Sequence, residues 1–160
     1  IPREFMVVDK EGYSGQLHST LTFMNSFMGV TFTGVARSAF DLARAYAHER
    51  IQGGKPIIEH QSVKLRLFDM YRKVETASTY ARKVSIFNNT SEDAKLHYAI
   101  AAKTYCTRVA FDVASDAIQM FGGNGLSREY PVEKIMRDAR ASMIEDGCNE
   151  VLSIVGAADL

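Results

Sequence analysis

From Leu17 onward the apolar positions Leu21, Met24, Met28, Phe32, Val35, Ala39, Leu42 and Tyr46 recur at steps of three and four residues. That spacing puts them on one face of a helix of about eight turns. The stretch "GGKP" (Gly53 to Pro56) supplies glycine for a C-terminal cap and then a proline, so this helix is predicted to end near Gly53-Gly54. A second series, Val63, Leu67, Met70, Val74, Ala77, Ala81, Val84 and Phe87, stops at Asn88-Asn89. Thr90 with Asp93 three residues on has the form of a capping box and is predicted to open a third helix. The stripe of that helix reads Ala94, Tyr98, Ala101, Tyr105, Val109, Val113, Ala117 and Met120, ended by Gly122-Gly123. Pro131 suits a first helical position, and Glu133 lies in the first turn, where the helix dipole favours an acid. This short helix should run to about Ala141. Gly147 then breaks the chain before a last helix from about Asn149 to Ala158.

No segment alternates apolar and polar residues for long enough to make a strand of a sheet, so the predicted class is all-α. Three long helices with short connections form an antiparallel four-helix-type bundle, with short extra helices at the C-terminus. Residues 1–16 read as a linker or tail from a preceding domain, and 17–160 as the bundle. The start, Ile1-Pro2-Arg3, has neither an initiator Met nor a signal-peptide pattern and reads as a cut from a longer chain.

Composition narrows the function by exclusion. In 160 residues, Lys+Arg and Asp+Glu number 19 each, so no charge excess points to nucleic acid or an anionic membrane surface. No apolar run approaches the roughly 18 residues that a spanning helix needs, which argues against membrane insertion. Cys106 and Cys148 form no CxxC and suit reduced thiols in an intracellular protein. His18, His48, His60 and His97 are far apart, and no metal site is readable.

The candidate chemistry lies at helix ends. Gly122, Gly123 and Gly125 match no phosphate-loop spacing and read first as a helix cap and turn, although glycine also lets a ligand approach the backbone. Arg50 suits a C-terminal dipole partner, and Arg137-Asp138-Ala139-Arg140 a solvated face. Glu145-Asp146-Gly147 follows the apolar pair Met143-Ile144. Adjacent carboxylates in partly apolar surroundings suit a general base, and a polar loop is the plainer alternative.

Two stretches together resemble the acyl-CoA dehydrogenase family. "QMFGGNGLSREYPVEKIMRDAR" (Gln119 to Arg140) is similar to the family's run of a Gln, an apolar pair, GG-x-G, EYPVE and RDA. "AHERIQGGKPIIEHQSV" (Ala47 to Val63) is similar to its helix-end motif, an Arg followed by FGKPI and then Gln. The resemblance covers about residues 17–160. It implies the C-terminal bundle of an FAD enzyme that follows an N-terminal helical domain and a middle β domain. It also implies removal of the α-proton of an acyl-CoA thioester by a carboxylate, with hydride passing to the flavin. On this resemblance Arg50 meets the FAD pyrophosphate of a neighbouring subunit. Gln119, Gly122 and Gly123 lie along the adenosine diphosphate part, and Gln61 near the same cofactor. A homodimer or homotetramer is then a functional requirement, and an electron-transfer flavoprotein the expected acceptor. The compartment implied is the bacterial cytoplasm or the mitochondrial matrix. The chain alone is expected to be inactive, because the flavin ring site needs the middle domain.

The departures matter. The family's aromatic residue after Arg-x-x is Gly53, an arginine common early in the first helix falls at Asn25, and Tyr-Glu-Gly-Thr reads Glu145-Asp146-Gly147-Cys148. Counted from Gln119, the catalytic glutamate position is Asp146, with Glu145 as the alternative base. A same-fold flavin oxidase resembling nitroalkane oxidase, and a non-catalytic subunit completing a partner's flavin site, are the competing expectations.

Overall fold

A computed structural model describes residues 2–9 and 11–160; Ile1 and Lys10, both within the expected tail, lie outside the described residues. After a short 3-10 turn at Arg3–Phe5, helix α1 spans Tyr13–Glu49 and so begins a turn before Leu17. Its 37 residues make a rod of about 55 Å. The buried face is rotated from the expected one. Met28, Phe32 and Ala39 are buried as predicted, but Met24 is exposed and Ala36, Phe40, Ala43 and Ala47 complete the seam. The alanines at 36, 39, 43 and 47 let α1 lie close to its neighbour. A Cβ added at Gly29 would come within 3.3 Å of Ala102 on the third helix.

The glycines expected to cap α1 lie beyond its end, since the helix stops at Glu49 with Arg50 as C-cap and Gly53-Gly54 turn a hairpin instead. Ile51–Gln52 (β1) and Lys55–Pro56 (β2) form a minimal antiparallel hairpin, with Gly53 and Gly54 at φ 62° and 79° in the turn. Two successive positive φ values suit the tight hairpin turn that glycine favours. This ribbon was missed in the sequence because two-residue strands carry no periodicity.

Helix α2 spans Gln61–Thr90 and buries Leu67, Met70, Val74, Ala77, Ala81 and Val84, as the apolar spacing predicts. Fully burying a Met70 or a Val74 contributes about 1.5–3 kcal/mol. The expected capping box is overturned. Thr90 is the last residue of α2, its hydroxyl donating to the Ile86 carbonyl at 2.8 Å, and α3 begins later, spanning Leu96–Phe121. Asn88 provides the local fixing instead. Its Oδ1 accepts from the Lys95 amide at 2.9 Å, while its Nδ2 donates to Ser26 Oγ at 3.0 Å.

The first half of α3 also differs from its predicted stripe. Tyr98 and Tyr105 are exposed, whereas Ala99, Ala102, Lys103, Cys106, Thr107 and Ala110 face inward. Two aromatics at helical spacing drew the expectation to the wrong side, because small buried residues carry a weaker pattern. From Val109 to Ala117 the stripe holds.

Helix α4 spans Val132–Ala141, with Pro131 as its N-cap, and α5 spans Asn149–Ala157. The chain therefore runs up, down and up through α1, α2 and α3. Gly29 beside Ala102 and Tyr46 stacked on Phe121 show α1 and α3 running parallel. Helices α4 and α5 return along α3, from Tyr130 against Phe121, through Arg140 over Phe111, to Gly156 beside Ile100. Together they make a fourth rod, interrupted at 142–148. The predicted all-α bundle holds, and its fourth member is broken where the paired acids sit.

Candidate functional site

At one end of the bundle, the C-termini of α1 and α3 meet the N-terminus of α2. Arg50 is the C-cap residue of α1, its amide donating to the Tyr46 carbonyl at 2.8 Å and its own carbonyl accepting from Ile57 at 2.8 Å. The backbone of Arg50 is thus fixed, while its guanidinium is exposed and makes no ion pair among the described residues. Gln61 opens α2 and Gln119 lies in the last turn of α3, both exposed. A groove of about 500 Å³ runs between them, lined by Gln52, Gly53, His60, Arg66 and Gln119 among others. The His60 ring lies beside Gly53, within 3.3 Å of where a Cβ would stand, and its Nε2 is 2.9 Å from the Gln52 carbonyl oxygen. Behind this end, Tyr46 stacks on Phe121 and Asn124 Nδ2 donates to the Tyr46 hydroxyl at 3.0 Å.

The glycines here have different reasons. Gly122 has φ 61°, so it caps α3 in a conformation that other residues resist. At Gly125 a Cβ would stand 2.7 Å from the Ile118 carbonyl oxygen, so internal packing demands glycine. Gly123 has neither a positive φ nor any atom within 4 Å of an added Cβ. Nothing inside the chain requires glycine at that position.

At the other site the acids occupy the break between α4 and α5. Glu145 and Asp146 are both exposed, with no hydrogen bond or ion pair to either carboxylate among the described residues. Met143 is buried but Ile144 is 61% exposed, so the apolar pair does not enclose the acids as expected. Asp146 has φ 52°, the only positive value at a non-glycine among the described residues, and Gly147 follows at φ 91°. A left-handed aspartate is tolerated better than most residues and is still uncommon.

What holds this turn is a residue that sequence reasoning missed. Lys103 is 0% exposed, and its Nζ donates to the Gly147 carbonyl at 2.7 Å, the Glu145 carbonyl at 3.2 Å and Asn149 Oδ1 at 2.9 Å. Asn149 Nδ2 in turn donates to Thr107 Oγ1 at 3.0 Å, and the Thr107 hydroxyl to the Lys103 carbonyl at 2.8 Å. Burial pushes the Lys103 pKa below its usual value, while the negative charge of Asp146 foremost, and of Glu145 and Glu150, pushes it back. A usable signal existed, since Lys103 sits in the run Ala99, Ala102, Cys106, Ala110 at helical spacing.

The remaining candidates resolve simply. Asn25 is wholly buried, donating from Nδ2 to the Leu21 carbonyl at 2.8 Å and leaving Oδ1 unpartnered, so it is a core residue. Burial pushes the Cys106 thiol up to about 12, which keeps it protonated at neutral pH. Arg137 pairs with Glu133 on an exposed helix face, as a solvated run should. No group of three metal-ligating side chains occurs among the described residues, and no described helix is long and apolar enough to cross a membrane.

A family model described as the acyl-CoA dehydrogenase C-terminal domain matches residues 15–160. The chain belongs to the acyl-CoA dehydrogenase family. Among its relatives, a probable acyl-CoA dehydrogenase of Mycobacterium tuberculosis is 34% identical over 137 residues, covering 86% of this chain and 35% of that protein. Cyclohex-1-ene-1-carbonyl-CoA dehydrogenase of Geobacter metallireducens is 30% identical over 155 residues, covering 97% of this chain and 41% of that one. The structure of butyryl-CoA dehydrogenase from Megasphaera elsdenii superposes with a TM-score of 0.92 at 31% identity, covering 99% of this chain and 41% of that one. This acyl-CoA dehydrogenase domain thus spans well under half the length of these relatives. The helical architecture and the family expected from Ala47 to Val63 and Gln119 to Arg140 both hold.

Proposed function

We propose that the full-length protein carrying this chain is an FAD-dependent acyl-CoA dehydrogenase in which Asp146 removes the α-proton of the substrate. The observation that supports the reading is the exposed Asp146 carboxylate in a left-handed turn, at the residue that the sequence resemblance aligns with the family's glutamate. FAD, when bound, supplies the hydride acceptor. The residues of this chain fit the diphosphate part of that cofactor: an Arg50 cation with no ion pair among the described residues, the Gln61 and Gln119 amides, and backbone at Gly122 and Gly123 with open space around it. Lys103 beneath the acid turn and Gln119 lie sixteen residues apart on α3, a rise of about 24 Å. That separation supports a division of labour between copies, in which Asp146 serves one flavin and the Arg50 end serves a neighbour's. A homodimer or a tetramer of dimers follows from that reading.

Aspartate is about 1.3 Å shorter in reach than glutamate. A substrate whose acidic carbon lies closer, such as a branched or cyclic acyl-CoA, suits that difference, and the cyclohexene-carbonyl-CoA enzyme among the relatives supports a cyclic one. An electron-transfer flavoprotein is the proposed acceptor, supported by a matched chain in a structure titled for such a protein of Acidaminococcus fermentans. The proposed compartment is the cytoplasm, or the matrix in a mitochondrion.

The test is substrate-proton exchange and flavin reduction in the full-length protein. Asp146→Asn lowers proton abstraction by about 10²–10⁴-fold with FAD retained, the range of a lost general base. Glu145→Gln moves only the pH profile. A dead Glu145→Gln protein beside an active Asp146→Asn protein overturns the assignment.

A further inference from the structure

We infer that Lys103 is a positioning residue for the base: its buried ammonium grips the carbonyls on both sides of Asp146 and fixes the turn from which that carboxylate projects. The inference rests on the reading of Asp146 above and adds the means by which the turn is made. The Glu145 and Gly147 carbonyls converge on one nitrogen, at 3.2 and 2.7 Å. Two carbonyls flanking a residue and bound to one buried donor constrain the dihedral angles between them. Asp146 sits in that span at φ 52°, a strained conformation that persists only where its surroundings impose it. The outer side of the turn is closed by the Asn149 amide on the Met143 carbonyl at 3.0 Å and the Glu145 amide on the Ala141 carbonyl at 3.0 Å.

The partners of Lys103 are also informative in kind. All three are neutral oxygens, so a wholly buried cation has no carboxylate in direct contact. A buried charge is costly unless it is well satisfied, and here the ammonium satisfies three oxygens at once, two of them the carbonyls that bracket Asp146. Retaining an unpaired ammonium there keeps a positive field under the turn. The titratable groups around it are Glu145, Asp146 and Cys148 on the turn and Glu150 on α5. Of these, Asp146 and Glu145 carry the exposed carboxylates of the turn.

Three variants of the full-length protein test this. Lys103→Met keeps the length of the stem and removes the charge. Asn149→Asp keeps the lysine and places a carboxylate against it, which neutralises the field without emptying the core. Asp146→Asn serves as the reference. With FAD content and the thermal transition recorded alongside, Lys103→Met should lower kcat by about 100-fold, the scale of a 1 Å misplacement. Its KM should change little. Asn149→Asp should move the acid limb of the kcat/KM profile to higher pH, because it adds a negative charge beside Lys103 and the turn. If Lys103→Met does not fold, the Asn149→Asp profile decides alone, and an unmoved profile overturns the proposal. Wild-type kcat and pH profile in a folded Lys103→Met protein overturns it as well. An active Asp146→Asn protein removes the base assignment and this proposal with it, whereas a dead one beside unaffected Lys103→Met removes only the role of Lys103.

Discussion

The two chemically marked regions of this bundle are built in opposite ways. The Arg50 end is open: a guanidinium with no ion pair among the described residues, a groove of about 500 Å³ and glycine backbone with empty space around it. The Asp146 turn is closed from below, gripped by a lysine that solvent does not reach. A surface that receives a ligand must leave polar groups unspent, while a single reacting carboxylate must be held in one orientation. The first need exposes its residues and the second buries the ones that matter.

The largest expected effect at the open end is Arg50→Ala, which should weaken FAD retention in the full-length protein by about 1.5–3 kcal/mol, the scale of a charge-assisted hydrogen bond. Equilibrium dialysis or calorimetry reads it, and unchanged affinity would return Arg50 to a helix-end role. Next, Gly125→Ala should cost about 1–3 kcal/mol of stability in denaturant unfolding, since its Cβ meets the Ile118 carbonyl oxygen at 2.7 Å and backbone must move. Stability within error of wild type would mean the segment after α3 is looser than its packing indicates. The smallest effect sharpens the contrast most. Gly123→Ala should alter stability by no more than about 0.5 kcal/mol, because open space surrounds it. It should nevertheless speed FAD loss, and a variant that keeps its flavin normally would show that no ligand approaches there.

The same division explains what could be read from the sequence. Arg50, Gln119 and the Gly122-Gly123 pair stood out only through the resemblance of their two stretches to the family, since alone each reads as a helix end or a turn. The long rods were legible from their period, and α2 most of all, since Leu67 to Val84 bury one large stripe. Lys103 was hidden for a physical reason. Periodicity follows bulk, and in the first half of α3 the bulky Tyr98 and Tyr105 lie outside while alanines lie within. The capping box at Thr90 failed likewise, because Asn88 reaches seven residues forward to the Lys95 amide, a distance that no local rule scans. The hairpin at Gly53-Gly54 is too short for any pattern and shows only in its dihedral angles.

The interruption of the fourth rod has a consequence for motion. Helices of ten and nine residues fall below the roughly 12–15 needed for marginal stability alone in water, so α4 and α5 persist only while docked on α3. Undocking α5 carries Asn149 away from Lys103 and releases the Asp146 turn in the same event. Native-state amide exchange would then report α5 and the acid turn as one cooperative opening unit, at a lower free energy than the seam between α1 and α3. The geometry of the Asp146 turn is thus tied to the docking of the nine residues of α5.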